Sequence, residues 1–189
     1  MNVEAMIKDI EELVENQCRQ ESNIFGYEIW EYHIKQVVEY AVILADSLVA
    51  DKEVVKIAAL LHDYAGIKDK AMYEQHHIYG AEEAEKILLS YGYELDKIKE
   101  VKTCIIEHRG SVLLEKTSKE SICIASADAM AHIASVPSLL HLAYVKKGMK
   151  VDEGAAWVKG KIERSYKKLC KEAREVIQHK YEAVKEILY

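Results

Sequence analysis

The chain has 189 residues, the size of one ordinary domain. Half of them are apolar, enough to bury a core without disulfides or a structural metal. A formal net charge of −6 argues against long nucleic acid as a partner, which needs a basic surface to displace counterions. It does not exclude a small anion, because a bound cation can supply positive charge locally.

Four cysteines, Cys18, Cys104, Cys123 and Cys170, include no C-x-x-C pair and read as free thiols in a reducing cytoplasm. The segment Met1 to Gln20 carries acids through its apolar pattern. It lacks the basic start and unbroken apolar run of a signal peptide. No stretch reaches the length of a bilayer span. The expectation is a soluble, cytoplasmic protein that engages neither membrane nor long nucleic acid.

The periodicity is helical nearly throughout. Met6, Ile7, Ile10, Leu13 and Val14 outline a first amphipathic helix, broken by a polar stretch from Glu21 to Gly26. A long helix follows from about Tyr27 to Ala50. A shorter one runs from about Lys52 to Asp63, and its nearly continuous apolar run from Val54 to Leu61 marks it as central and buried. Further helices are expected over Gly80 to Leu89, Leu95 to Glu107 (closed by Gly110) and Ser121 to Ser135. Pro137 opens the next, in the early position where proline is tolerated. From Val151 onward the pattern is one long helix or two. Its lysines alternate with glutamates and read as a solvated face. The expected fold is an all-α, single-domain bundle of about seven to nine helices over residues 1–189. Residues 27–148 form its core motif region and 151–189 a C-terminal helical extension.

Two acids stand in apolar surroundings. Asp63 follows the buried run of the third helix, and Asp128 lies in Ala-Ser-Ala-Asp-Ala-Met-Ala. An ionised carboxylate there is costly unless it is paired or holds a cation. Histidines sit at helix ends and flanks around them: His33, His62 beside Asp63, the pair His76-His77, and His108. A divalent cation would satisfy the acids and histidines together. Mixed imidazole and carboxylate donors suit manganese, iron, cobalt, nickel or zinc better than magnesium. Taken singly, each histidine reads as an ordinary helix cap; only the ordered set argues for a site.

That ordered set, H…HD…H…H…D, resembles the HD superfamily of metal-dependent phosphohydrolases over roughly residues 30 to 135. Five local segments carry the resemblance: YHIKQVVEYA, AALLHDYAG, HHIYGAEEAEKIL, IIEHRGS and IASADAMAHI. The resemblance implies an all-α fold in which His33, His62, Asp63 and Asp128 bind a divalent metal. It implies a metal-held water that attacks phosphorus, with Asp63, His76 and His108 in catalytic roles. His76, His77 and His108 are implied either as ligands of a second metal or as contacts to the substrate phosphate. His76, four residues before Gly80, is the preferred member of its pair.

Departures from the pattern matter. The usual HD-x-G-K appears here as His62-Asp63-Tyr64-Ala65-Gly66, with no lysine directly after. Gln36 stands three residues after the first histidine, where many relatives have arginine. Lys68 and Arg109 are the candidate replacements as phosphate contacts. His132, four residues after Asp128, shares its helix face and could orient it. His141 and His179 read as structural or exposed. Tyr27, Trp30, Tyr32 and Tyr64 flank the site, with core packing the plainer reading of their spacing.

The leading functional expectation is hydrolysis of a small phosphoester, a nucleotide or related metabolite. The Gly-Tyr-Pro signature of cyclic-dinucleotide phosphodiesterases is absent, as is the Glu-Asp pair of alarmone hydrolases. The symmetrical diadenosine-tetraphosphate hydrolases share HDYA, but their Thr-Gly-Arg is not matched by Arg109-Gly110-Ser111; such an activity is an alternative. The rival from another class is a non-catalytic metal- or nucleotide-binding signalling module. The lysine- and glutamate-rich C-terminal segment leaves a protein partner or a homo-oligomer open.

Overall fold

The computed structural model describes residues 2–109 and 115–188. Gly110 and Ser111, invoked above as a helix stop and as part of a motif comparison, lie outside the described residues. Among those residues the chain is helical, with no strand.

The bundle is organised around its two most apolar helices. Helix α7 (Lys119–Ala134) is buried along nearly its whole length from Ser121 to Ile133, as expected of a helix that is apolar on every side. Ser118 caps it, accepting a hydrogen bond from the Ser121 N–H. Its alanines and Ser126 let neighbours approach closely. Helices α2 (Lys35–Leu48), α3 (Lys52–Leu61), α6 (Leu95–Glu107), α9 (Val151–Lys168) and α10 (Lys171–Leu188) all pack on it. Helix α3 starts at the Asp51 cap and buries every residue from Val54 to Leu61 except Lys56. The apolar run seen in the sequence is thus a central helix, and it delivers His62 and Asp63 at its end.

Helix α1 (Val3–Cys18) covers α3 and α4 (Tyr64–Lys68). Helix α5 (His76–Ser90) lies along α6 and α4. Gly80 permits that approach: a Cβ there would stand 3.2 Å from the Ile105 side chain and 3.5 Å from the His62 carbonyl. The short helix α4 has no counterpart in the sequence pattern, whereas α8 (Val136–His141) is the helix expected to open at Pro137. Pro137 does sit in the first turn of α8.

Among the described residues, two wide π turns interrupt the helical register. The first, Trp30–Ile34, leads directly into α2, and the Lys35 N–H donates to the Trp30 carbonyl. The second, Leu142–Lys146, follows α8. Such turns add a residue to the helix and re-aim the side chains on either side.

The C-terminal segment is two helices rather than one. They are not merely a solvated appendage. Gly154, Val158, Ile162 and Ser165 of α9 are buried, as are Ala173, Ile177 and Val184 of α10, so both helices close the bundle over α7. No single helix among the described residues is long and apolar enough to cross a membrane.

Candidate metal centre and its cavity

The acids and histidines of the ordered set arrive from five separate helical segments, and the fold brings them together. His33 comes from the π turn before α2, His62 and Asp63 from the end of α3, and His76 from the start of α5. His108 follows α6, and Asp128 lies mid-way along α7.

The two carboxylate oxygens of Asp63 face different partners. Oδ2 is 3.4 Å from Nε2 of both His33 and His62. Oδ1 is 3.3 Å from Nε2 of His76 and 3.8 Å from Nε2 of His108. The imidazoles also meet in pairs, with Nε2 atoms 3.3 Å apart for His33 and His62, and 3.3 Å apart for His76 and His108. Asp128 joins the first group through Oδ1, 3.6 Å from His33 Nε2 and 3.5 Å from His132 Nδ1. Three sets of convergent donors result: His33, His62 and Asp63; Asp63, His76 and His108; and His33, Asp128 and His132.

The ring orientations are held from behind. His62, His76 and His108 each donate Nδ1–H to the carbonyl three residues earlier, on Ala59, Tyr73 and Ile105, at 2.7, 2.8 and 2.6 Å. Such bonds fix the tautomer and turn the Nε2 lone pair toward the centre.

Electrostatics favour a cation here. Burial raises the carboxyl pKa of Asp63, but His62 and the hydrogen bonds around it prevail and hold it well below the usual carboxylate range. Asp128 is held down in the same way, chiefly by Lys168 and then His132. Burial pushes His108 down to about 4 and holds His132 well below its ordinary value. Neutral imidazoles and ionised carboxylates are the forms that bind metal. His62 is the exception: burial opposes its charge, yet the adjacent Asp63 raises it. The donor set therefore fits one or two divalent ions, with Asp63 shared between the two positions.

Other candidates land elsewhere. His77 is buried beside Arg109, its Nδ1 3.4 Å from a guanidinium nitrogen, and belongs to none of the three donor sets. His76, not His77, reaches the centre. Lys68 pairs with Glu83 of α5 at 2.5 Å and does not line the cavity. Arg109 does line the cavity; its guanidinium also meets the Glu74 backbone carbonyl and carboxylate. Of the aromatic residues, Trp30 and Tyr64 are buried and Tyr27 binds Glu15. Tyr32 alone of the four faces the cavity.

This cluster of histidines and acids forms the floor of a cavity of about 570 Å³. Its apolar walls come from Phe25, Ile29 and Tyr32 near the first π turn, and from Leu139, Leu142 and Trp157 of α8, the second π turn and α9. Sequence reasoning missed the remaining wall. Lys161, Arg164, Ser165 and Lys168 of α9 all line the cavity, Arg164 while remaining exposed to solvent. The lysines here are not a solvated face: Lys168 donates to Asp128 Oδ2 at 2.8 Å. The signal was present in the spacing. Trp157, Lys161, Arg164 and Lys168 follow one another at four, three and four residues, a helix stripe of one aromatic residue and three cations.

Comparison with known proteins agrees with this geometry. The family model for the HD domain matches residues 30–132, from the first π turn to His132. The chain belongs to the HD domain family. Its HD pair is His62-Asp63, and the matched span holds all of the histidines and acids gathered at the floor. The fold is that of solved structures at low identity. Bacillus subtilis YpgQ shares 20% identity, with a TM-score of 0.76, over 100% of this chain and 94% of its own. YpgQ in complex with ADP gives 20% identity and a TM-score of 0.69, over 94% of this chain and 93% of its own. A predicted HD superfamily hydrolase from an uncultured Thermotogales bacterium gives 21% and 0.65, over 96% and 88%. No curated protein matches the chain. The α9 wall lies outside the span matched by the HD model.

Proposed function

We propose that this HD protein is a metal-dependent phosphohydrolase acting on a small phosphoester, most naturally a nucleotide. The observation that carries the reading is the division of Asp63: its Oδ2 serves His33 and His62, and its Oδ1 serves His76 and His108. His33, His62, Asp63 and Asp128 would hold one cation, and Asp63, His76 and His108 a second. A divalent cation held there supplies Lewis acidity to phosphoryl oxygens and lowers the pKa of water.

The chain's own residues do the rest. The backbone carbonyls behind His62, His76 and His108 keep the imidazoles aimed, so no reorganisation accompanies substrate entry. His132 and Lys168 position Asp128 from its two oxygens. Arg109, at the cavity edge beside the second group, offers a fixed cation to a phosphate oxygen. A volume of about 570 Å³ lies within the usual range of small-molecule sites. Tyr32 and Trp157 provide apolar faces for a planar base. The ADP bound by YpgQ supports a nucleotide of some kind.

Phosphate release is measured across nucleotides, dinucleoside polyphosphates and sugar phosphates with added manganese, with Asp63→Ala in parallel. We expect turnover by the native chain. The variant falls by about 10²- to 10³-fold or more, the scale of losing a preorganised charge-stabilising group, with its circular dichroism unchanged. Undiminished turnover in the variant would overturn the assignment. Silence from both proteins, with no metal retained on purification, favours a binding module.

A further inference from the structure

Lys161 and Arg164 of α9 line the cavity, as does Lys146 of the second π turn. Lys168, one turn further along α9, is paired with Asp128, and Arg109 contacts Glu74. Neither Lys161 nor Arg164 makes a hydrogen bond or ion pair with any described residue. The acids that reach the cavity away from its floor, Glu28 and Glu74, pair with neither of them. Lys161 is also partly withdrawn from solvent. Burial works against its charge, Asp128 and Asp63 favour it, and Lys168 and Arg164 oppose it, with a net lowering of its pKa.

A desolvated cation without a partner is costly, and a like charge three residues away adds repulsion. Lys161 stands beside the buried Val158 and Ile162, where an apolar residue would pack well, and Arg164 lines the same cavity while remaining exposed to solvent. An anionic ligand removes both costs at once. Anions recognised by lysine and arginine together are phosphates or carboxylates, and this wall faces a floor suited to phosphoester chemistry. The wall also brings more positive charge than one phosphoryl group at the floor can use.

We propose that Lys161 and Arg164 form an anion subsite for the phosphate chain of a multiply phosphorylated substrate, beyond the phosphorus that reacts. The identity of the ligand as a substrate rests on the phosphohydrolase reading; the anion subsite does not. Lys168, on the same helix, reaches the floor through Asp128.

The test is calorimetric titration of the full-length protein, stripped of metal over chelating resin, with inorganic tripolyphosphate and with orthophosphate at one ionic strength. We expect tripolyphosphate to bind at least about tenfold more tightly than orthophosphate. Lys161→Met and Arg164→Met each weaken tripolyphosphate by about tenfold or more, the usual value of a charge-assisted contact, and Lys161→Arg restores it. Thermal melts without ligand guard against misfolding. Lys161→Met melts no lower than the native chain, because it removes an uncompensated cation, while tripolyphosphate raises the native melting temperature and not that of Lys161→Met. Equal binding of the two anions, or unchanged tripolyphosphate binding in both methionine variants, overturns the subsite. Tripolyphosphate binding that depends on both residues, in a protein that hydrolyses no phosphoester with manganese, upholds the subsite and overturns the phosphohydrolase reading.

Discussion

The floor and the α9 wall of the cavity handle charge in opposite ways. On the floor every ionisable group has a partner: Asp63 meets four imidazoles, and three of those imidazoles are braced by backbone carbonyls. On the wall Lys168 is paired, whereas Lys161 and Arg164 are not. A site that must hold geometry satisfies its polar groups internally. A surface that must receive a charged ligand leaves them for the ligand to satisfy, at some cost in stability.

Three experiments test that contrast, from the largest effect to the smallest. Asp128 joins the two regions, bonding His33 and His132 on one side and Lys168 on the other. Asp128→Ala leaves Lys168 uncompensated as well as Lys161. We expect a loss of about 3–5 kcal/mol, the usual result of removing one partner of a buried pair, read from urea unfolding of the metal-stripped protein. A loss below about 1 kcal/mol would mean that the floor does not depend on its pairings.

Chelation tests the floor from the other direction. A cation that binds only the folded chain stabilises it by about 3 kcal/mol at a hundredfold excess over its dissociation constant. Adding manganese to metal-free protein should raise the melting temperature of the native chain and not that of His62→Ala. An equal rise in both proteins would place the metal elsewhere.

Glu107, beside His108, gives a smaller effect with a defined pH dependence. It is buried, and it accepts hydrogen bonds from the Thr117 N–H at 3.0 Å and hydroxyl at 2.8 Å. Burial raises its pKa, but hydrogen bonds from Ser121 and Thr117 outweigh it and bring the group below its ordinary value of 4.5. A carboxyl whose folded pKa is depressed adds stability that is fully present above the ordinary value. That stability is lost as pH falls through 4.5 to the lower folded value. Glu107→Gln is therefore expected to cost about 1–3 kcal/mol at neutral pH. The gap between variant and native chain narrows on acidification. A constant gap from pH 7 down to acid, followed by chemical denaturation, would exclude that contribution.

How far the sequence can be read differs between the same two regions. The HD floor was legible because its members carry strong local signals: His62-Asp63 ends an unbroken apolar run, Asp128 interrupts an alanine-rich helix, and Gly80 follows His76 at four residues. The choice between His76 and His77 was only partly legible. Adjacent helical residues differ by about 100° in direction, and the packing of α5 on α6 and α4 settles which one reaches the centre. Lys68 offered the right chemistry near the HD pair, yet the turn of α4 pairs it with Glu83. The α9 wall was misread because alternating lysine and glutamate usually signals solvent. Whether such a stripe faces solvent or a cavity depends on what packs over it.

By itself the sequence determined the helical class, the central place of α3 and α7, and the ordered set of histidines and acids, because each is written in local periodicity and composition. Tertiary structure decided three things: that Asp63 is shared between two groups of histidines, that His76 rather than His77 stands beside Asp63, and that a lysine-bearing terminal helix lines the cavity. These rest on distances between residues far apart in the chain, and only the packing of whole helices sets such distances.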